Sequence, residues 1–366
     1  MSERCIALLG RRDEPTDAVE EYCRYLGAAL KEHDFEMQLM RVDFSRRGWP
    51  SALEELRRQA AAWRDEWVLV QYTALAWSKR GFPLRFSRVL KVLRNAGARV
   101  AVIFHDVTPY GGLRLIDGIR RRAQLHAMRN AHRQADLSIF TVALERVSWI
   151  PPEGANTVFI PVGANLPVPP VVPARPEAAE GRPLTVAVFG ITGEEAGRRE
   201  SGVITEAVSF AAKRAGRVRL LAFGRHADDV EKYLHEGLRG TDVELQVSGV
   251  LPVEKVVGSL ASSDVSLFVR GGISSRRGSA IASIACGLPV VAYNGPETAF
   301  PMSEAGVVLV SPEKREELGE ALARVLGDRQ YRASLAEQSR RAYEQYFSWK
   351  AIAARYAEAL RGMGHA

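Results

Sequence analysis

Two series of short β-rich runs, each run followed by a helical pattern, decide what this chain can become. In the first series the runs are Cys5–Gly10, Glu36–Asp43, Trp67–Tyr72, Ala98–His105, Leu137–Val142 and Val158–Val162. Helical patterns such as Asp17–Lys31, Ser51–Trp63, Leu84–Asn95 and Arg114–Gln134 fill the gaps. A second series passes through Thr185–Gly190, Val218–Gly224, Val243–Gly249, Val265–Val269, Pro289–Tyr293 and Gly306–Val310. Strands separated by helices pair in parallel, and a parallel sheet must be covered on both faces. Between the series lies PVPPVVPARPEAAEGRP, Pro167–Pro183. Proline fixes φ and donates no N–H, so this stretch reads as an extended linker. A chain of 366 residues exceeds what one hydrophobic core usually serves. The expectation is two doubly wound, Rossmann-like α/β domains, 1–166 and 184–346, hinged at 167–183. They would face each other across a cleft, at the strand ends where such folds bind ligands.

Three cysteines, Cys5, Cys23 and Cys286, lie far apart in apolar or helical runs. They fit no metal-ligand spacing and no disulfide framework, so buried thiols are expected. No apolar run approaches the roughly 20 residues that span a bilayer. The opening MSERCIALLG is too short and too early for a signal segment and reads as a first strand. The cytoplasm is the expected compartment. The net charge of +7 is uneven, because Arg57 to Arg133 carries 16 Lys/Arg against four acids. A basic face on one domain suits an anionic membrane surface or a lipid phosphate, equally a solvated arginine surface. Nucleic acid is not expected, since no stacking-aromatic array accompanies the arginines.

Two glycine-bearing loops stand out in the second series. In VFGITGEEAGRRESGVITEA a strand ends at Gly190, a loop through Gly193 follows, and a helix is expected near Glu200, with Arg198 and Arg199 beside it. Backbone N–H groups at such a helix start favour phosphate, and glycine permits close approach. In RGGISSRRGSAIASIACG, Gly278 and its neighbours free the backbone. Ser274, Ser275 and Ser279 offer hydroxyls and caps, and Arg276 and Arg277 stand at the positive end of the helix dipole. The competing explanation is a serine-capped helix with solvated arginines. Glu297, in GPET after the next strand, could receive a ligand hydroxyl. His105 and Asp106 close a strand of the first series. Asp106 could bind a ligand hydroxyl or cap the VTPYGG loop that follows.

The stretch SSDVSLFVR…SIACGLPVVAYNGPETA…AGVVLVSPEKREELGEAL resembles the C-terminal domain of family 4 glycosyltransferases, retaining enzymes of the two-Rossmann GT-B fold. GARVAVIFHD resembles their strand ending in an active-site histidine, and VFIPVGANLPVP the segment entering the hinge. QYTALAWSKRGFPLRF resembles a stretch before that strand, and YFSWKAIAARYAEAL the terminal helices. The resemblance implies a last helix within 347–366 that crosses back to the N-terminal domain, and His105 against the transferred sugar. It also shows departures. The family's paired glutamates map to Ser274 and Ala282, and Ser201 stands where a lysine is expected.

The expected function is transfer of a sugar from a nucleotide-diphosphate sugar to an acceptor glycan, lipid or small molecule, with the acceptor on the N-terminal domain. The resemblance implies retention of configuration. The nucleotide sugar is a co-substrate, no cofactor is expected, and no Asp-x-Asp pair suggests a metal. Peripheral contact with the inner face of an anionic membrane, through the basic N-terminal domain, accompanies it. The alternative is a catalytically inactive GT-B-fold binding or scaffold protein that partners an active transferase.

Overall fold

The structure is a computed structural model, and it describes residues 2–14, 16–112, 114–150, 156–166 and 182–362. The Pro-rich segment, apart from Arg182 and Pro183, lies outside the described residues. The chain divides into two compact units: Met1–Asn165 with Trp349–Ala366, and Leu166–Ser348.

The first unit opens with β1 (Glu3–Leu9), α1 (Ala18–Leu30), β2 (Phe35–Arg41), α2 (Phe44–Arg47) and α3 (Trp49–Ala60). It continues through β3 (Trp67–Tyr72), α4 (Ala74–Trp77), α5 (Phe86–Asn95), β4 (Arg99–Phe104), α6 (Leu115–Gln134), β5 (Leu137–Phe140) and β6 (Thr157–Phe159). Its six parallel strands are ordered β2-β1-β3-β4-β5-β6. Alternate residues of the central strands, Ile6, Leu8, Val68, Val70, Val100 and Val102, join Leu53 and Leu56 of α3 and Val89, Leu90 and Leu93 of α5 in one core. Each such side chain contributes about 1.5–3 kcal/mol on burial. Cys5 and Cys23 are buried in this unit, and burial pushes the Cys5 thiol up to about 12.

The second unit comprises β7 (Leu184–Phe189), α7 (Glu194–Ala215), β8 (Val218–Phe223), α8 (Glu231–Gly237), β9 (Val243–Ser248) and α9 (Val253–Ala261). Then come β10 (Val265–Phe268), α10 (Gly278–Ala285), β11 (Val290–Tyr293), β12 (Val307–Val310), α11 (Glu316–Gly327) and α12 (Arg329–Ala342). Its parallel strands are ordered β12-β11-β10-β7-β8-β9. Each unit is therefore a Rossmann-like parallel sheet flanked by helices.

The final helix, α13 (Trp349–Gly362), belongs to the first unit and packs against α1. The Tyr356 hydroxyl lies 2.8 Å from that of Tyr22. The Trp349 indole donates to the Ala164 carbonyl at 2.7 Å and stacks on Tyr25. The Trp67 indole donates to the Leu360 carbonyl at 3.2 Å.

One sequence expectation needs correction here. Helix α7 begins at Glu194, not near Glu200. Gly197 looks like a loop residue in sequence, but it lies within the helix, where a Cβ would stand 2.1 Å from the Thr192 carbonyl oxygen. Close packing, not a turn, requires that glycine.

Candidate functional site

In the first unit, the chain leaves β1 toward β2 on one side, while β3 lies on the other. Diverging connections leave a crevice at the strand C-termini. A pocket of about 210 Å³ lies there, with Gly10, Asp17, Arg41, Gln71, Asp106 and Tyr110 in its lining. Two of its charged side chains, Asp17 and Arg41, are paired with each other. Asp17 caps α1, accepting from the Val19 and Glu20 amides at 3.2 and 3.1 Å. Arg41 donates to Asp17 at 3.0 Å, to Glu20 at 2.8 Å and to the Gly10 carbonyl at 2.7 Å. A Cβ on Gly10 would lie 2.4 Å from the Ala76 carbonyl oxygen, so only glycine lets α4 close over this strand end.

Asp106 accepts from the Ala74 amide and from the Tyr110 hydroxyl, each at 2.9 Å. Of its two sequence-level roles, bracing the following loop is the one the structure displays. His105 follows β4 and is only 9% exposed. Its Nε2 lies 2.8 Å from Gln71 Oε1, and its ring meets Tyr22 edge-on at 5.1 Å. Gln71 lines the pocket and His105 does not. Sequence analysis passed over Gln71, although a lone polar residue in the fully buried strand WVLVQY is itself a signal.

In the second unit the crevice falls between β7 and β10. Three amides of the turn after β7 are already engaged. The Gly190 amide donates to the Phe223 carbonyl at 2.8 Å, that of Ile191 to Arg225 at 3.0 Å, and that of Thr192 to Glu200 at 2.8 Å. Gly193 caps α7, whose first turn carries Glu194 and Glu195. Those carboxylates already oppose the positive end of the helix dipole. Arg198 and Arg199 lie within this helix rather than on a loop. The Arg198 guanidinium sits 5.5 Å from the Tyr233 ring centroid. The exposed Arg199 reaches Glu195 at 4.0 Å. Ser201 is fully buried and donates to the Gly197 carbonyl at 2.8 Å, so it replaces the expected lysine with a helix-internal bond.

The loop after β10 also departs from expectation. Arg276 is an ion-pair partner, donating through Nε and Nη2 to Glu297 at 2.7 and 3.1 Å. Glu297 thereby receives a guanidinium, with Ser274 Oγ at 3.4 Å. Ser274 and Ser275 are buried. Arg277 occupies the N-cap position of α10. Gly278, the first residue of α10, has nothing within 4 Å of where a Cβ would stand. The Ser279 carbonyl accepts from Ser283 Oγ at 3.2 Å. Ala282 is buried in an apolar cluster with Ala187, Leu221 and Phe223. A glutamate there would have to desolvate its carboxylate among hydrocarbon. In this unit the sequence pattern gave no role to Arg270, just after β10. Its Nη1 lies 3.2 Å from where a Cβ on Gly190 would stand, so the space that Gly190 clears is filled by an arginine.

Among the described residues no three or more His, Cys, Asp or Glu side chains gather as a metal site. No described helix is long and apolar enough to cross a membrane.

No protein-family model matches the sequence, and no curated protein matches it. Solved structures do match. HepE of Anabaena, solved with UDP and glucose, aligns over 98% of this chain and 100% of its own at 16% identity, with a TM-score of 0.65. WaaG, a glycosyltransferase involved in lipopolysaccharide biosynthesis, aligns over 98% and 100% at 13% identity and a TM-score of 0.64. An α-glucosyltransferase solved with UDP-glucose and DNA containing an abasic site aligns over 99% and 100%, at 13% identity and a TM-score of 0.61. At these identities the likeness is one of fold, and it covers the whole two-unit GT-B chain.

Proposed function

We propose that this chain is a glycosyltransferase that moves a sugar from a nucleotide-diphosphate sugar to an acceptor. The observation that carries the proposal is the second unit's switch point. There Arg270, Arg277 and the open N-terminus of α10 gather positive charge at the strand ends. As the sugar leaves, negative charge grows on the departing diphosphate, and cations fixed in advance stabilise it without reorganisation. The acceptor is assigned to the first unit's pocket, where Gln71, Asp17 and Tyr110 offer hydrogen-bonding groups to hydroxyls. His105, held by Gln71, orients that wall. Membership of the retaining family 4 enzymes and transfer without a metal complete the proposal.

The test is a thermal-shift panel of nucleoside diphosphates and their sugars. A true donor should raise the melting temperature with concentration by mass action, followed by product formation or slow donor hydrolysis. No response to any member would overturn the proposal. A second reading, an inactive GT-B-fold binding protein, is favoured by the buried Ser274 and Ala282 and by the engagement of Glu297 with Arg276. It predicts donor binding with neither transfer nor hydrolysis.

The acceptor side of the proposal includes an anionic membrane. On α6, Leu115 is 93% exposed, and Ile116 and Ile119 are 46% and 56% exposed, beside Arg120, Arg121 and Arg122. Apolar side chains flanked by guanidinium groups suit an interface of acyl chains under anionic headgroups. Vesicle binding should rise with anionic lipid content and fall with salt, and Lys79→Glu with Arg80→Glu should weaken it. Equal binding to neutral and anionic vesicles would remove this part.

A further inference from the structure

Extending the strand registers past their ends sets three residues abreast. Ser266 pairs with Ala187 and Phe189 with Phe223, so Arg270, Ile191 and Arg225 follow β10, β7 and β8 at matching levels. Two arginines thus flank the turn at the switch point. Gly190, at φ +76°, carries no side chain, and the Arg270 guanidinium fills the space beside it. Arg270 Nε is buried from water and has no hydrogen-bond partner. Glu200, the acid that acts on Arg270, already accepts from the Thr192 amide and hydroxyl with its two oxygens. Burial pushes the Arg270 pKa down, Glu200 partly offsets this, and the like charge of Arg225 adds to it.

A half-buried guanidinium whose Nε is shut from water without a partner, beside a second guanidinium, is costly in the unliganded protein. The amides of Gly190, Ile191 and Thr192 are engaged by Phe223, Arg225 and Glu200, which takes that part of the turn away from a ligand. We infer that Arg270 and Arg225 together form the diphosphate grip of this chain, taking over from the helix α7 cations that the sequence resemblance assigns to that role. This inference rests on the sugar-nucleotide reading above. The outer strands of a three-strand span lie about 10 Å apart, a gap that two long arginines can close around a diphosphate. Fork-shaped donors from both sides would each take a separate phosphoryl group.

The experiment is calorimetric titration of the full chain with inorganic pyrophosphate and with inorganic phosphate, alongside melting of the unliganded protein. Wild type should prefer pyrophosphate. Arg270→Gln and Arg225→Gln should each weaken it about tenfold or more, the loss of a charge-assisted hydrogen bond. Arg198→Gln should leave it within about twofold, since its cation is turned to Tyr233. Arg270→Gln should also melt at or above the wild-type temperature, because it relieves the desolvation of Arg270 and its like-charge proximity to Arg225. A purely structural arginine would do the reverse. If Arg270→Gln does not fold, Arg270→Lys and Arg225→Gln carry the test, with Arg270→Lys expected between wild type and Arg225→Gln. Wild-type affinity in both glutamine variants, or no pyrophosphate binding by wild type, would overturn the inference. Sugar-nucleotide binding that ignores both arginines would overturn it while leaving the proposed function standing. Pyrophosphate binding that needs both, in a protein that takes no sugar nucleotide, would support the grip and defeat the proposed function.

Discussion

The two switch points share a topology and differ in how one arginine at each is held. In the first unit, Arg41 has two carboxylates and a carbonyl, and Asp106 has an amide and a hydroxyl. In the second, Arg270 keeps a buried Nε without a partner beside a like charge. Arg41 is thus a cation whose acceptors the protein supplies, whereas Arg270 is left short of them. One fold repeated in one chain holds its crevice arginines in two ways, so the topology alone does not decide what each crevice does.

The contrast breaks most visibly at Arg41. Arg41→Ala removes a charged donor from two carboxylates, leaving Asp17 its amides and Glu20 its Arg24, and should cost about 1.5–3 kcal/mol of stability in urea unfolding, with pyrophosphate affinity unchanged. The pH dependence follows from Glu20, whose carboxyl is held below its ordinary value of 4.5 by its bond to Arg24, with burial opposing and Arg41 assisting. A depressed folded pKa stabilises above the ordinary value and is lost as pH falls through the folded one. The stability gap between wild type and Arg41→Ala should therefore narrow as pH falls below the ordinary carboxyl value of 4.5. A gap that is constant with pH would mean that the Arg41 cluster is not electrostatic.

Arg276 sharpens the comparison within the second unit. Its pairing with Glu297 makes it a structural cation, so Arg276→Ala should cost about 1.5 kcal/mol of stability and leave pyrophosphate affinity within about threefold. A tenfold affinity loss would show that the pair opens to reach the ligand, and would shift the grip toward α10.

The smallest expected effect is at His105. His105→Ala should slow sugar transfer about tenfold, one hydrogen bond's worth in the transition state, without changing pyrophosphate affinity. Equal rates would leave Gln71, not His105, as the functional group of that wall.

The strands were legible because Val, Ile and Leu runs of the right length, punctuated by Gly and Pro, leave little choice of structure. The ions were less so. Arg270 and Arg276 look alike in sequence, both polar and both after a strand. What separates them is that Glu297, far along the chain, reaches one and not the other. Gly190 and Gly197 likewise read as one loop. Only packing shows that the first makes room for an arginine and the second for a carbonyl within a helix. Gln71 stayed hidden because its partner, His105, comes from the neighbouring strand. Local pattern reports burial and periodicity, while pairing depends on contacts that the fold alone creates.

The return of α13 to the first unit has a consequence for how the chain is made. The unit that leaves the ribosome first is the one that finishes last. Tyr22 waits for Tyr356, and Ala164 for Trp349, while all of Leu166–Ser348 is synthesised. At ribosomal rates that interval lasts roughly 10–40 s. Throughout it, the nascent first unit holds open the apolar groove along α1 that α13 will occupy. The second unit, whose strands are contiguous in the chain, can fold to completion inside that wait.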